Sequence, residues 1–296
     1  MAQVTTSDGT RLFVKDWGTG RPVVLVHGWP LSSDTFDDLA LTLAEQGLRA
    51  ISYDRRGFGR SDQPWRGYDY DTLADDLAAV MRETGASDAT LLGFSMGGGE
   101  VARYLRRHGA GDVRQAILVS SVVPSLSRSE ANPGGVEPRV VDDMARGLRE
   151  DRADFFASFF KDFYGVGMLS HPVSDAVVQW SCRQAMQAGL RPTLACAEAF
   201  ATTDFLDDLD AFTMPTLVVH GSGDRTVPID ATARRVAVAL PHAVLREYVD
   251  APHGLLASHK ESLAADVLAF VRNEPLPDPA VIELGATMLP IDPRTA

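Results

Sequence analysis

Four short apolar runs separated by helical patterns constrain this chain more than any other feature. Pro22-Val-Val-Leu-Val-His27 reads as a buried strand ended by Gly28, and Leu48–Tyr53, Ala89–Phe94 and Val113–Ser120 repeat the form. Strands apolar on both sides must be covered on both sides. The stretches between them supply the cover. One helix runs through Phe36, Leu39, Leu43 and Ala44, with Asp34 as its N-cap and Gly47 as its stop. A second spans Tyr70–Thr84 before Gly85, and a third ends near His108. Arg11–Trp17 adds a strand at the start. This alternation predicts an α/β fold, a mostly parallel sheet with helices on both faces.

The alternation stops between about 122 and 212 and resumes with strand Pro215–His220, helix Ile229–Leu240, strand Ala243–Tyr248 and helix Leu255–Arg272. The interruption contains Arg139–Asp151, the aromatic block 154–164 and Asp175–Ala188, which read as helices of an inserted cap. The expected organisation is therefore a core over 1–121, a helical cap over 122–212, the rest of the core over 213–272, and a proline-rich extended tail over 273–296. Phe155, Phe156, Phe159, Phe160 and Phe163 recur at helical spacing. They make a packing stripe first, and a wall of an apolar substrate pocket second, with Phe155 and Phe159 as the candidates.

Composition removes several classes of function. With 296 residues, 45% apolar and 23% charged, the chain has the make-up of a globular protein. Forty acidic against 28 basic residues give a net charge of −12, which opposes nucleic-acid binding. No apolar run reaches the length of a membrane span. The first residues, Met1-Ala-Gln-Val-Thr-Thr-Ser-Asp, lack a secretory pattern, so a cytoplasmic location is expected. Cys182 and Cys196 are expected as isolated buried thiols.

The chemistry concentrates where strands end. Gly93-Phe-Ser-Met-Gly97 matches G-x-S-x-G between a buried strand and a helix, the context that lifts a nucleophilic serine above the carboxyl edge of a sheet. Ser95 then needs a base oriented by an acid, in the order serine, acid, histidine. Asp224 follows strand Pro215–His220 through a short loop, and His253 follows Ala243–Tyr248. Asp250 is the rival acid, and Asp54 is expected in a loop network with Arg55 and Arg56. Asp204, Asp207 and Asp208 read as a solvated cluster. His108, His171, His220, His242 and His259 are expected to be structural or solvated, and His27 to brace its own loop. The oxyanion hole requires two N–H donors, expected from the backbone of Met96 and Trp29, because Pro30 has none. No metal-ligand spacing and no dinucleotide fingerprint occurs, so neither a metal nor a cofactor is expected.

With these residues in place the sequence resembles the cofactor-free (non-haem) haloperoxidase, perhydrolase and arylesterase family of the α/β-hydrolase fold. The resemblance rests on His27-Gly-Trp-Pro-Leu31, Tyr53-Asp-Arg-Arg-Gly-Phe-Gly-Arg-Ser-Asp62, Gly93-Phe-Ser-Met-Gly-Gly-Gly-Glu-Val-Ala102, His220-Gly-Ser-Gly-Asp224 and Ala251-Pro-His-Gly-Leu-Leu256. It implies a Ser95–His253–Asp224 triad, Trp29 and Met96 as oxyanion donors, and peroxide replacing water to give a peracid that oxidises halide without haem or metal. Pro30 matches members called haloperoxidases or perhydrolases and is placed near the substrate. The expected partners are a small-molecule ester or acid, hydrogen peroxide and halide. Neither nucleic acid nor a membrane is expected, and the tail leaves a homo-oligomer open. Cleavage of a lactam or carbon–carbon bond, and a non-catalytic ligand-binding protein on the same fold, stand as alternatives. Haloalkane dehalogenases and epoxide hydrolases are disfavoured, because they carry Asp where this chain has Ser95.

Overall fold

The computed structural model describes residues 2–278, and the greater part of the expected tail lies outside them. Among the described residues, eight strands form one sheet. They are β1 (Ala2–Thr5), β2 (Arg11–Gly18), β3 (Pro22–Val26), β4 (Arg49–Tyr53), β5 (Ala89–Phe94), β6 (Val113–Val119), β7 (Thr216–Gly221) and β8 (Val244–Tyr248), in the order β1-β2-β4-β3-β5-β6-β7-β8. The pairs β1–β2 and β2–β4 are antiparallel and all the others parallel. Strands β3 and β5 are buried along their whole length, as two-sided cover requires. Helices α1 (Asp37–Glu45) and α10 (Lys260–Arg272) pack together on one side. On the other, α2 (Tyr70–Thr84) and α3 (Met96–His108) are tied by Arg103 and Arg107 to Asp71.

Four helices fill the connection between β6 and β7: α4 (Pro138–Glu150), α5 (Arg152–Phe163), α6 (Asp175–Gln187) and α7 (Leu190–Thr202). Helix α7 has no counterpart in the sequence reading. The expected helix at 229–240 is a single 3₁₀ turn followed by a short α8 (Ala233–Ala239). The expected helix at 255–272 is broken at His259 into α9 (Leu255–Ser258) and α10. The Asp34 cap also needs correction. Ser32 caps a 3₁₀ turn that precedes α1, while the Asp34 carboxylate pairs with Lys15 and Arg60. Both cysteines are free, and no helix among the described residues is long and apolar enough to cross a membrane.

Candidate active site

The turn from β5 into α3 forces Ser95 into a conformation that side chains rarely adopt, φ 54° and ψ −120°. The turn exists because its flanks have no side chains. A Cβ on Gly93 would lie 2.5 Å from the Gly97 carbonyl oxygen, and one on Gly97 would lie 2.2 Å from that of Val26. The Ser95 N–H donates to Val119 O at 2.8 Å, which ties the strained residue to β6.

Two loops at the same edge of the sheet reach over it. The His253 Nε2 lies 2.9 Å from Ser95 Oγ, and its Nδ1 lies 2.6 Å from Asp224 Oδ2. The other Asp224 oxygen accepts the backbone N–H groups of Thr226 (2.9 Å) and Val227 (2.8 Å). Burial pushes the Asp224 carboxyl up, but the charge of His253 and hydrogen bonds from His220 and His253 outweigh it and bring it to about 2. The residue is therefore a carboxylate throughout the working range of an imidazole base. Asp250 is exposed at φ 55°, with its N–H held by Ser222 Oγ, and its carboxylate makes no hydrogen bond or ion pair with His253.

His253 is gripped between the core and the α4–α7 segment. Its ring lies 5.4 Å from that of Phe94 and 4.7 Å, edge-on, from that of Phe163, and the Gly254 N–H donates to Phe163 O at 2.9 Å. Trp29 is held in the same way. Its indole N–H donates to Thr193 O at 3.0 Å, and its ring meets Phe159 and Phe200 at 5.4 and 5.5 Å. Neither Thr193 nor Phe200 carries a signal in the sequence, because both belong to α7, where the sequence predicts no helix.

The loop carrying Trp29 is fixed from below by buried polar groups. The His27 Nδ1–H donates to Gly28 O, and its Nε2 accepts the Arg55 N–H, both at 2.9 Å. Burial, together with the charge of Arg55, holds His27 down to about 3, so it remains neutral and braces the loop. The Arg55 guanidinium donates to His27 O and pairs with Glu100, which also accepts the Tyr53 hydroxyl at 2.9 Å. The expected network of Asp54 with Arg55 and Arg56 is therefore replaced. Asp54 accepts from Ser33 and Arg60, and Arg56 pairs with Asp76 and Asp8. Asp208, expected to be solvated, is buried and pairs with Arg103.

Ser95 opens onto a cavity of about 50 Å³, walled by Trp29, Val122, Leu126, Met144, Phe159 and Phe200 among others. Phe159 is thus a wall. Phe155 is not: its ring packs on Gly147 and stacks on Phe159 at 5.8 Å. Pro30 is buried beside Trp29, joined to it by a cis peptide bond, and is not part of the cavity wall. Met96 opens α3, so its N–H is among those a helix leaves without an intrahelical partner.

A strained serine at the strand-to-helix turn, a histidine and a carboxylate from later loops, and this strand order define an α/β-hydrolase. Residues 21–260 match the family of the alpha/beta hydrolase fold, and the chain belongs to it. Within that family it belongs with the non-heme haloperoxidases and esterase/perhydrolases. It is 42% identical over 273 residues to the non-heme chloroperoxidase CPO-A1 of Kitasatospora aureofaciens, covering 90% of this chain and 98% of that one. It is 39% identical to the bifunctional esterase/perhydrolase DCH of Acinetobacter calcoaceticus, covering 92% and 100%. A bromoperoxidase crystal structure from Bacillus anthracis superposes with a TM-score of 0.88 at 37% identity, covering 92% and 99%.

Proposed function

We propose that the protein is a serine hydrolase of small carboxylic esters whose acyl-enzyme also accepts hydrogen peroxide. The observation that carries this reading is the unbroken chain Ser95 Oγ–His253 Nε2, His253 Nδ1–Asp224 Oδ2 beside an apolar cavity. Ser95 attacks the ester carbonyl while His253 takes the hydroxyl proton and then returns it to the departing alcohol. Asp224 holds the imidazole and offsets its charge. The backbone N–H groups of Met96 and Trp29 receive the oxyanion. Water attacking the acyl-enzyme releases an acid. Peroxide attacking it releases a peracid, which oxidises a halide ion to hypohalous acid and leaves the carboxylate. The acyl group enters the apolar cavity onto which Ser95 opens.

Pro30 is the residue we assign to the choice between water and peroxide. It shapes the loop so that the Trp29 carbonyl accepts a hydrogen bond from the second O–H of peroxide. Water and peroxide each pass one hydrogen to His253, but the O–H that peroxide keeps is on its distal oxygen, one atom beyond the attacking one, whereas the O–H that water keeps is on the attacking oxygen itself. A neutral hydrogen bond contributes about 0.5–1.5 kcal/mol net, a few-fold to roughly tenfold in the partition. The test begins with p-nitrophenyl acetate, which should give turnover with a burst of nitrophenol. With peroxide added, peracetic acid is measured against acetate in the wild type and Pro30→Leu. The variant should form less peracid per acetate and keep its hydrolysis. An unchanged ratio would show that the proline has no part in the choice, and absence of any turnover would show that the protein does not hydrolyse such esters.

A further inference from the structure

A second histidine lies against the acid. His220 is the fifth residue of β7, fully buried, and its Nε2 sits 2.8 Å from Val227 O and 3.2 Å from Asp224 Oδ2, the oxygen that also meets His253. Its Nδ1 is buried without a hydrogen-bond partner. A proton on Nδ1 would therefore have no acceptor, so the ring carries its proton on Nε2. That N–H donates to Val227 O, and Asp224 Oδ2, on the same turn, lies 3.2 Å from the same nitrogen as a charge contact. Val227 contributes the carbonyl, and its own N–H, with that of Thr226, holds the far oxygen of Asp224. The four contacts close a clasp over 220–227, in which His220 of β7 meets one Asp224 oxygen and the Thr226 and Val227 N–H groups meet the other.

We propose that His220 is a positioning residue: its Nε2–H fixes Asp224 Oδ2 and the turn that carries it, and so sets the orientation and charge of the acid that His253 relies on. The inference rests on Ser95, His253 and Asp224 acting as the reactive set. Without the donor, Val227 O is left unpaired in a buried site and the turn loosens. The negative charge on Oδ2, no longer shared with a second donor, then bears more fully on His253 and favours its protonated form. Glu247, the register partner of His220 on β8, also feels its charge and is paired with Arg234. Neither belongs to the reactive set, and both are the same in every variant below.

The test compares His220→Leu, which has no donor, with His220→Gln, whose amide nitrogen falls near the Nε2 position, and His220→Asn, whose shorter amide falls near Nδ1. Kinetics on p-nitrophenyl acetate are normalised to active sites by the burst amplitude, which counts only folded, acylating enzyme. The Leu variant should lose a few-fold to about tenfold in kcat with KM unchanged. The acidic limb of its pH profile should move to higher pH. Gln should restore both toward wild type, and Asn should not. Equal behaviour of Gln, Asn and Leu, or a Leu variant with an unmoved limb and wild-type kcat, would overturn the proposal. Asp224→Asn, run beside them, separates the two levels: wild-type kcat in that variant overturns the triad itself, whereas its inactivity beside an unaffected His220→Leu overturns only the clasp.

Discussion

At the scale of single residues, the site is a set of groups held where the chain would not otherwise place them. Ser95 keeps an uncommon backbone conformation because β6 and a glycine-lined turn hold it there. Asp224 stays ionised in a buried position because four donors surround it. Its folded-state value, about 2, lies below the ordinary carboxylate range near 4. The stability it contributes is therefore present above about pH 4 and lost as pH falls through its folded value. Asp224→Asn should lower kcat on the order of 10⁴-fold by favouring the wrong tautomer of His253. It should also flatten the fall in stability between about pH 4 and 2, read by urea denaturation at a series of pH values. An unchanged acid limb of stability would mean that the carboxylate is not held as described.

Among the elements, the buried strands are visible in the sequence and several helices are not. Ser95, Asp224 and His253 were legible because each follows a strand, and strands that are buried on both faces announce themselves as apolar runs. Helix α2 was equally plain, with Asp69 accepting from Thr72 N at its start and Gly85 at φ 64° closing it. Helix α7 was not legible. Pro192 sits in its first turn, where the missing N–H costs nothing, yet in a sequence it reads as a breaker. The break at His259 was hidden for the opposite reason, since apolar periodicity continues through it and only local backbone geometry interrupts the helix. The pairing of Arg55 with Glu100 was invisible as well, because 45 positions separate them. Burial pushes the Glu100 carboxyl up, against the pull of Arg55. Glu100→Gln leaves the guanidinium buried without its counter-charge and should cost about 3–5 kcal/mol in urea denaturation. A change within about 0.5 kcal/mol, the usual range for surface positions, would show that the pair does not brace the Trp29 loop.

For the whole molecule, the sheet and the α4–α7 segment divide the work. The sheet edge presents Ser95, Asp224 and His253, and the helices from the β6–β7 connection supply the apolar surroundings through Phe159, Phe163 and Phe200. The phenylalanine stripe was readable as a packing face. Which of its rings turned toward the site was not, because that depends on how α5 lies across the core. Phe163 is 1% exposed and touches the His253 ring, so it connects the two layers. Phe163→Ala should destabilise by about 3–5 kcal/mol and lower kcat more than it raises KM. Full stability with normal kinetics would contradict that connection.

Every step of the proposed reaction passes through an acyl group on Ser95. Mass spectrometry of peptides from enzyme quenched during turnover of an acetyl ester, with Ser95→Ala as the parallel sample, detects that group. One acetyl group should appear within the burst on the peptide that contains Ser95 and diminish faster when peroxide is added. The Ser95→Ala sample should show no acetylation and no burst. Turnover without acylation at Ser95, or a burst that survives in Ser95→Ala, would contradict an acyl-enzyme at Ser95.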